Sequence, residues 1–391
     1  MASLARRAGV NTARPPRPAW AATVRRLAPT LTSSPAARRS GLSESFGLVA
    51  GVAALAAGGI AAGLELERRI VAKRLHRPST DASEPFFSLR SPGPAVLTLD
   101  GVRLHTEVDE VAGFAPEDIT LVYVHGYALS LDCWHFQRKY FRGRMRQVLY
   151  DQRSHGRSGR SDPAHCRIPQ LGDDLAQVLD EVVGDGPLIL IGHSMGGMTI
   201  MALAQSRPEW FGSRVRGVAL FSTSAGELAD HSPITGLPGR AFARIAKPLM
   251  ATLNRVPALV ERGRRAGSDI GYVVTRRMAF GSDVPVSYVE FVSEMLGETP
   301  LEVVADFYPA FSELDAYHAF AVLDTVETAV IGGEDDMITP VAHTDRIIEL
   351  LPDADVRRLP GCGHMGMIEH HDVFNEVVEA LLYRVHQRQW R

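Results

Sequence analysis

The chain has 391 residues, of which 45% are hydrophobic and 22% are charged. This composition is ordinary for a folded globular protein, and it excludes a chain that is mainly disordered or that crosses a membrane many times. Eight arginines and no acidic residue fall between Met1 and Ser43, whereas the whole chain has a net charge of −3; the remainder is therefore acidic, and no nucleic-acid partner is expected.

The N-terminal part of the chain reads as three successive segments. Residues 1–43 are rich in Arg, Ala, Pro and Ser without hydrophobic periodicity, which predicts a disordered basic segment. Residues 44–77 contain a hydrophobic helix with a basic flank, in which Phe46 to Leu64 is nineteen residues without a charge. This length suits one membrane crossing, although Ala and Gly outnumber the more apolar residues. Residues 78–94 form a Pro- and Ser-containing linker.

The uncharged stretch leaves the localisation open between three readings. We expect membrane association through a single N-terminal helix, Phe46 to Leu64. A cleaved signal segment, and hence a secreted protein, is one alternative. A soluble helix in a cytoplasmic protein is the other.

Residues 95–391 alternate strand-like and helix-like patterns. Ala95 to Val108 predicts a hairpin about the turn Asp100-Gly101. Short apolar runs separated by amphipathic segments predict a doubly wound, mostly parallel sheet, with its chemistry at the carboxyl ends of the strands. The runs that read as buried strands are Ile119 to Val124, Gln147 to Tyr150, Leu188 to Ile191, Val215 to Phe221, Ala329 to Ile331 and Val356 to Leu359. The main helical segments are Leu171 to Val183, Gly197 to Gln205 and Val341 to Leu351.

The region 228–317 interrupts this alternation with helix-like sequence and is too long for a plain loop. It predicts a helical cap inserted over the site. The three cysteines, Cys133, Cys166 and Cys362, lack metal-binding spacing, so no disulfide framework and no metal site are expected.

Ser194 has the context of a catalytic nucleophile. The strand Leu188 to Ile191 runs into Gly192-His193-Ser194-Met195-Gly196, and an amphipathic segment follows. A serine on such a strand-to-helix turn has a strained backbone that lifts its hydroxyl clear of the sheet. The same turn places the amide of Met195 at a helix N-terminus, where it can stabilise a negative oxygen.

Further motifs give the chain its resemblance to a known family. His125-Gly126-Tyr127 follows another predicted strand, and the segment from Asp151 to Ser158 resembles an Asp-x-Arg-Gly-x-Gly-x-Ser loop. With these motifs the sequence resembles the α/β-hydrolase superfamily, in its serine esterase and lipase-like branch. The resemblance implies that the backbone amide of Tyr127 pairs with that of Met195 in an oxyanion hole. Asp151 and Arg153 are interpreted as structural, and His125 as a packing residue.

The same resemblance implies the other two members of a catalytic triad. Val330 to Pro340 is similar to the family's Gly-x-x-Asp-x-x-x-Pro segment, which assigns Asp336 as the acid, four residues before Pro340. Leu359 to Met365 is similar to its Gly-x-Gly-His loop, which assigns His364 as the base. The chain order Ser, Asp, His is the order of this fold. Other acids compete with Asp336 for the role, namely Asp335, Glu227 and Asp230.

These residues imply a serine hydrolase that cleaves carboxylic esters, with lipid-like esters among the candidate substrates, through an acyl-enzyme intermediate. The partner is then a small-molecule ester or acyl substrate, and no cofactor or metal is required. The same triad also serves thioester hydrolysis and C–C bond hydrolysis. A non-catalytic binding protein on a hydrolase scaffold is the alternative from another class.

Overall fold

The structure, a computed structural model, describes residues 84–228 and 268–389. The predicted disordered segment, the predicted membrane helix Phe46 to Leu64 and Asp230 lie outside these residues. Within them, no helix is at once long enough and apolar enough to cross a membrane.

A seven-stranded sheet forms the centre of the described chain. Its strands are β3 (Thr106–Asp109), β4 (Thr120–Val124), β5 (Arg146–Tyr150), β6 (Leu188–His193), β7 (Val215–Phe221), β8 (Glu327–Gly333) and β9 (Asp355–Leu359). Their order across the sheet is β3-β5-β4-β6-β7-β8-β9. Only β3 runs antiparallel to its neighbour, β5, and every other pairing in this sheet is parallel. The predicted doubly wound, mostly parallel fold is confirmed.

The predicted hairpin around Asp100-Gly101 is also present, but its second strand is divided. Strand β1 (Val96–Leu97) pairs with β2 (Arg103–Leu104) in a separate two-stranded sheet. After His105 the chain enters β3, which pairs with β5 instead. One continuous apolar pattern therefore supplies strands to two sheets.

Helices pack on both faces of the large sheet. The central strands are therefore buried on both sides. In β4, Leu121 and Tyr123 enter one core cluster, and Val122 and Val124 enter the other. This alternation is the period of two that a strand imposes. The helices are α1 (His135–Phe141), α2 (Ile168–Val178), α3 (Met195–Ser206), α4 (Ser268–Ala279), α5 (Val286–Glu298), α6 (Leu301–Ser312), α7 (Phe320–Leu323), α8 (Val341–Leu350), α9 (Gly366–Glu369) and α10 (His371–Gln389).

The predicted cap is helical where the structure describes it. Helices α4, α5 and α6 lie between β7 and β8 in the chain. Helix α5 contributes Val289 and Phe291 to the core on one face of the sheet. Helix α6 contributes Val303 and Phe307 to a separate apolar cluster with Met195 and Met198 of helix α3. Among the described cap helices, α6 therefore packs against the start of α3, beside the carboxyl end of β6.

The described part of the predicted linker packs on the domain. The ring of Phe86 stacks on that of Phe291 of the cap, with centroids 4.1 Å apart. Glu84 accepts hydrogen bonds from His135 and Lys139 of α1, at 2.7 and 2.8 Å. This stretch therefore ties the cap to helix α1.

Candidate active site

Ser194 occupies the sharp turn between strand β6 and helix α3. Its φ of 53° and ψ of −117° place a non-glycine residue in the strained conformation expected for such a turn. The turn is held because the Ser194 amide donates to the carbonyl of Phe221 at 2.9 Å. It is also tight: a Cβ atom on Gly196 would lie 2.0 Å from the carbonyl oxygen of Val124. Only glycine lets helix α3 start so close to β4.

Two backbone amides flank this serine. Met195 is the first residue of α3, and the amides of Gly197 and Met198, two and three residues further on, already donate to the Ser194 carbonyl. Tyr127 follows β4 beside the turn, since a Cβ on Gly126 would lie 3.2 Å from Ser194 Cβ. In residues 84–228 and 268–389, neither the Tyr127 amide nor the Met195 amide donates a backbone hydrogen bond. Within the described residues, both N–H groups can therefore donate to a ligand oxygen.

Asp336 and His364 are in direct contact. The Nδ1 atom of His364 donates to Oδ2 of Asp336 at 2.9 Å. A carboxylate only accepts, so Nδ1 carries a proton, and in the neutral ring Nε2 is the nitrogen with the lone pair. Both side chains are buried. No hydrogen bond joins Ser194 Oγ to His364 in the described chain.

The Asp336 carboxylate is held in its charged form. Burial would raise the pKa of Asp336, but the charge and hydrogen bond of His364, together with hydrogen bonds from Thr339, outweigh it and lower the pKa. Oδ1 accepts from the amides of Ile338 and Thr339, both at 2.8 Å, and Oδ2 accepts from Thr339 Oγ1 at 2.8 Å. The turn after β8 thus fixes the acid.

The structure describes two of the competing acids, and both have other contacts. Asp335 is exposed, and its amide donates to the carbonyl of Cys362 at 3.0 Å. The carboxylate of Glu227 interacts with Tyr317. Neither of these two contacts involves His364, and Asp230 lies outside the described residues.

His193 is a site residue that the sequence analysis missed. Its Nε2 donates to the backbone carbonyl of His364 at 2.9 Å, and the two rings lie 4.7 Å apart. Burial lowers the pKa of His193 to about 3, so the ring is neutral. His125, by contrast, has both nitrogens occupied, by the carbonyl of Gly126 and the amide of Gln152. These two hydrogen bonds hold the His125 ring in place, which fits the structural role that the sequence analysis expected.

The loop after β5 braces this region. Burial raises the pKa of Asp151 to about 6, and its carboxylate accepts from the amides of Leu131 and Arg157 at 2.8 and 2.9 Å. The guanidinium of Arg153 donates twice to Asp174, both at 2.6 Å. Ser154 stands where the family motif has glycine and has a φ of 65°. The loop therefore keeps the left-handed turn, at some cost in strain.

One group of described residues has metal-ligand chemistry. Ligand atoms of Cys362, Glu369 and His370 lie within 4.8 Å of one another. The Glu369 carboxylate, however, already accepts hydrogen bonds from Gly363, Gly281 and Ser282. Burial also raises the pKa of the Cys362 thiol, which disfavours the thiolate that a metal needs. These contacts indicate that the Glu369 carboxylate serves as a hydrogen-bond acceptor for the neighbouring loops and not as a metal ligand.

Comparison with known proteins identifies the family of the chain. A profile described as "Alpha/beta hydrolase family" matches residues 121–377. The chain is 27% identical over 293 residues to a non-heme chloroperoxidase of Burkholderia pyrrocinia, covering 72% of this chain and 96% of the relative.

Among solved structures, an esterase from Exiguobacterium antarcticum has a TM-score of 0.58 at 16% identity, over 75% of this chain and 99% of its own. A thermophilic esterase from Thermogutta terrifontis has a TM-score of 0.57 at 22% identity, over 75% and 98%. At these identities the structural likeness concerns the fold. The family profile covers most of the chain, and the protein belongs to the alpha/beta hydrolase family.

Proposed function

We propose that the protein is a serine hydrolase of carboxylic esters in which Ser194, His364 and Asp336 form the catalytic triad. The observation that carries this proposal is the bond from His364 Nδ1 to Asp336 Oδ2, at 2.9 Å. It fixes the tautomer in which Nε2 is unprotonated and can accept a proton. The strained turn at Ser194 supplies a hydroxyl in the same region of the sheet.

In the proposed reaction, His364 Nε2 takes the hydroxyl proton as Ser194 Oγ attacks the ester carbonyl. Asp336 stabilises the imidazolium that forms. The tetrahedral intermediate collapses when the C–O bond to the alcohol breaks and His364 returns the proton to the leaving oxygen. His364 then takes a proton from water, which attacks the acyl carbon. The bond from that carbon to Ser194 Oγ breaks, His364 returns the proton to Oγ, and the acid leaves.

The amides of Tyr127 and Met195 are the proposed donors to the oxyanion. Their lack of backbone acceptors in the described residues supports this role. Each such donor is worth about 3 kcal/mol of barrier in comparable enzymes. Met195 also begins helix α3, so the helix dipole adds to the attraction for a negative oxygen.

An ester with an apolar acyl group suits the surroundings. Met195 and Met198 of α3 cluster with Val303 and Phe307 of the cap. Tyr127 packs against this cluster. An acyl chain bound against this cluster would gain about 25 cal/mol of binding free energy for each Å² of apolar surface that it buries. Both of the similar solved structures are esterases, which supports the same substrate class for this protein.

A fluorophosphonate probe and nitrophenyl esters of increasing chain length test this proposal. The wild-type chain should be labelled on Ser194 and should hydrolyse the esters. Ser194→Ala should lose both, while Ser206→Ala, at the far end of the same helix, should keep both. Ester hydrolysis by pure Ser194→Ala at the wild-type rate would refute the mechanism.

A further inference from the structure

The end of the cap helix α4 touches the loop that carries His364. We define the cap junction as residues 279–282 and the histidine loop as residues 361–365. The Met365 amide donates to the carbonyl of Ala279 at 2.8 Å. A Cβ on Gly363 would lie 2.6 Å from the Gly281 nitrogen. The two backbones therefore meet with no side chain between them.

One carboxylate binds both segments at once. Glu369, the last residue of helix α9, accepts from the Gly363 amide of the histidine loop at 2.7 Å. The same oxygen, Oε2, accepts from the Gly281 amide of the cap junction at 3.2 Å. The other oxygen, Oε1, accepts from the amide and the hydroxyl of Ser282, the latter at 2.6 Å. Hydrogen bonds to an ionised acceptor are about twice as strong as neutral ones.

The backbone of the histidine loop is fixed by hydrogen bonds on both sides of His364. Its neighbours are fixed on either side, Gly363 by Glu369 and Met365 by Ala279. His364 itself is held through its carbonyl by His193 and through its ring by Asp336. Two of these four anchors, at Gly363 and Met365, lead to the cap junction. A shift of the junction therefore changes the position of the His364 backbone.

We propose that Glu369 is a positioning residue that couples the cap to His364. Its carboxylate sets both where the cap helix α4 ends and where the histidine loop stands. The role of His364 as base rests on the proposed function, whereas the coupling of the two segments does not. A substrate that displaces the cap then also moves His364. Such a movement changes kcat and not only KM.

Hydrogen exchange measures the coupling without any need for activity. Glu369→Gln replaces an acceptor oxygen by an N–H group that faces other N–H groups. We expect amide exchange to rise about tenfold or more in both the cap junction and the histidine loop. Glu376→Gln is the matched control, because Glu376 is exposed on helix α10. A rise confined to one segment, or none, would overturn the coupling.

Ser282→Ala is a milder variant that keeps every backbone group. It removes only the hydroxyl donor on the cap side. A smaller rise in exchange is expected, again in both segments. If the rise in this variant stays in the cap junction alone, Glu369 does not transmit changes from the cap to the histidine loop.

The rate of labelling by a small ethyl fluorophosphonate tests the consequence for His364. This probe needs His364 to activate Ser194 but has no acyl chain to engage the cap. We expect Glu369→Gln to lower the labelling rate and kcat for an acetate ester about tenfold, with KM nearly unchanged. Labelling at the wild-type rate would overturn the positioning role. An unlabelled wild-type chain would instead refute the proposed function, and the exchange measurement would still decide the coupling.

Discussion

His193 Nε2 donates a hydrogen bond to the carbonyl oxygen of His364 over 2.9 Å, across 171 positions of the sequence. The residue that precedes the proposed nucleophile thus holds the main chain of the proposed base. Because His193 is buried and its pKa is lowered to about 3, the ring keeps one proton, and that proton is on Nε2. The bond connects strand β6 directly to the loop after β9.

His193→Phe should therefore slow hydrolysis by moving His364. Phenylalanine has a ring of similar size but no donor, and the His364 carbonyl loses its partner. We expect kcat to fall about tenfold, which corresponds to the loss of one hydrogen bond of about 1.4 kcal/mol. His193→Gln, whose amide can donate, should recover part of the rate. Equal rates for the two variants in steady-state assays would argue against the bond.

Asp336→Asn should have a far larger effect. Its amide could present N–H to His364 Nδ1 and favour the wrong tautomer, and in a comparable triad this change lowers kcat by about four orders of magnitude. Asp335→Asn is the matched control, since Asp335 is adjacent and exposed and should show a mild loss. Glu227→Gln should also be mild. A reversed order of Asp335 and Asp336 in kcat would show that the acid has been misassigned.

Local sequence patterns predicted the sheet and the turn at Ser194 well. The strands from β4 to β9 lie within two residues of their predicted ends, because each is a short apolar run bounded by turn residues. The contact of Asp336 with His364 followed from a family motif, with Pro340 fixing which of two adjacent acids was chosen. The strands, the turn at Ser194 and the choice of Asp336 were each predicted from a pattern of neighbouring residues in the sequence.

The contacts that fix the histidine loop could not be predicted in that way. Glu369 meets Gly281 and Ser282 across 88 and 87 positions, and nothing in the short helix α9 marks it as different from a surface acid. The segment around Phe86 has no strand or helix period, so it read as a linker although its ring stacks on Phe291. These bonds depend on which loops the topology brings together, and a single sequence does not show this.

Gly126→Ala tests the packing of the strand β4 loop against the Ser194 turn. The new Cβ would lie 2.7 Å from His193 Nδ1 and 3.2 Å from Ser194 Cβ, so the ring or the turn must move. Either movement disturbs the Tyr127 amide or the His193 bond to His364. We expect a loss of about a hundredfold in kcat, similar to the loss of one oxyanion donor.

The control for that change is Gly297→Ala. Gly297 lies in helix α5, and a Cβ there would meet nothing within 4 Å. This variant should hydrolyse esters at the wild-type rate and be slightly more stable, since alanine favours the helix. Unchanged kcat for pure, folded Gly126→Ala would show that the two loops are not in the tight contact described.

Buried neutral histidines should make the fold sensitive to mild acid. Burial lowers the pKa of His125, His155 and His193 to about 3, 4 and 3, whereas an unfolded histidine has a pKa of about 6.5. As the pH falls below about 6.5, the unfolded chain takes up protons that the folded chain refuses. The stability contributed by these groups is therefore complete above about pH 6.5 and is lost progressively towards their folded pKa values.

Asp151 opposes this trend, because its pKa is raised to about 6 and the folded chain binds its proton first. Taking the four groups together, we expect the free energy of unfolding to fall by about 3 kcal/mol between pH 7.5 and pH 5.5. His155→Phe removes one of the three histidines and keeps an aromatic ring against Phe307. Its loss over the same range should be smaller by about 1 kcal/mol. Urea unfolding at the two pH values measures both losses, and an equal or larger loss in His155→Phe would contradict the assignment of His155 as a neutral buried group.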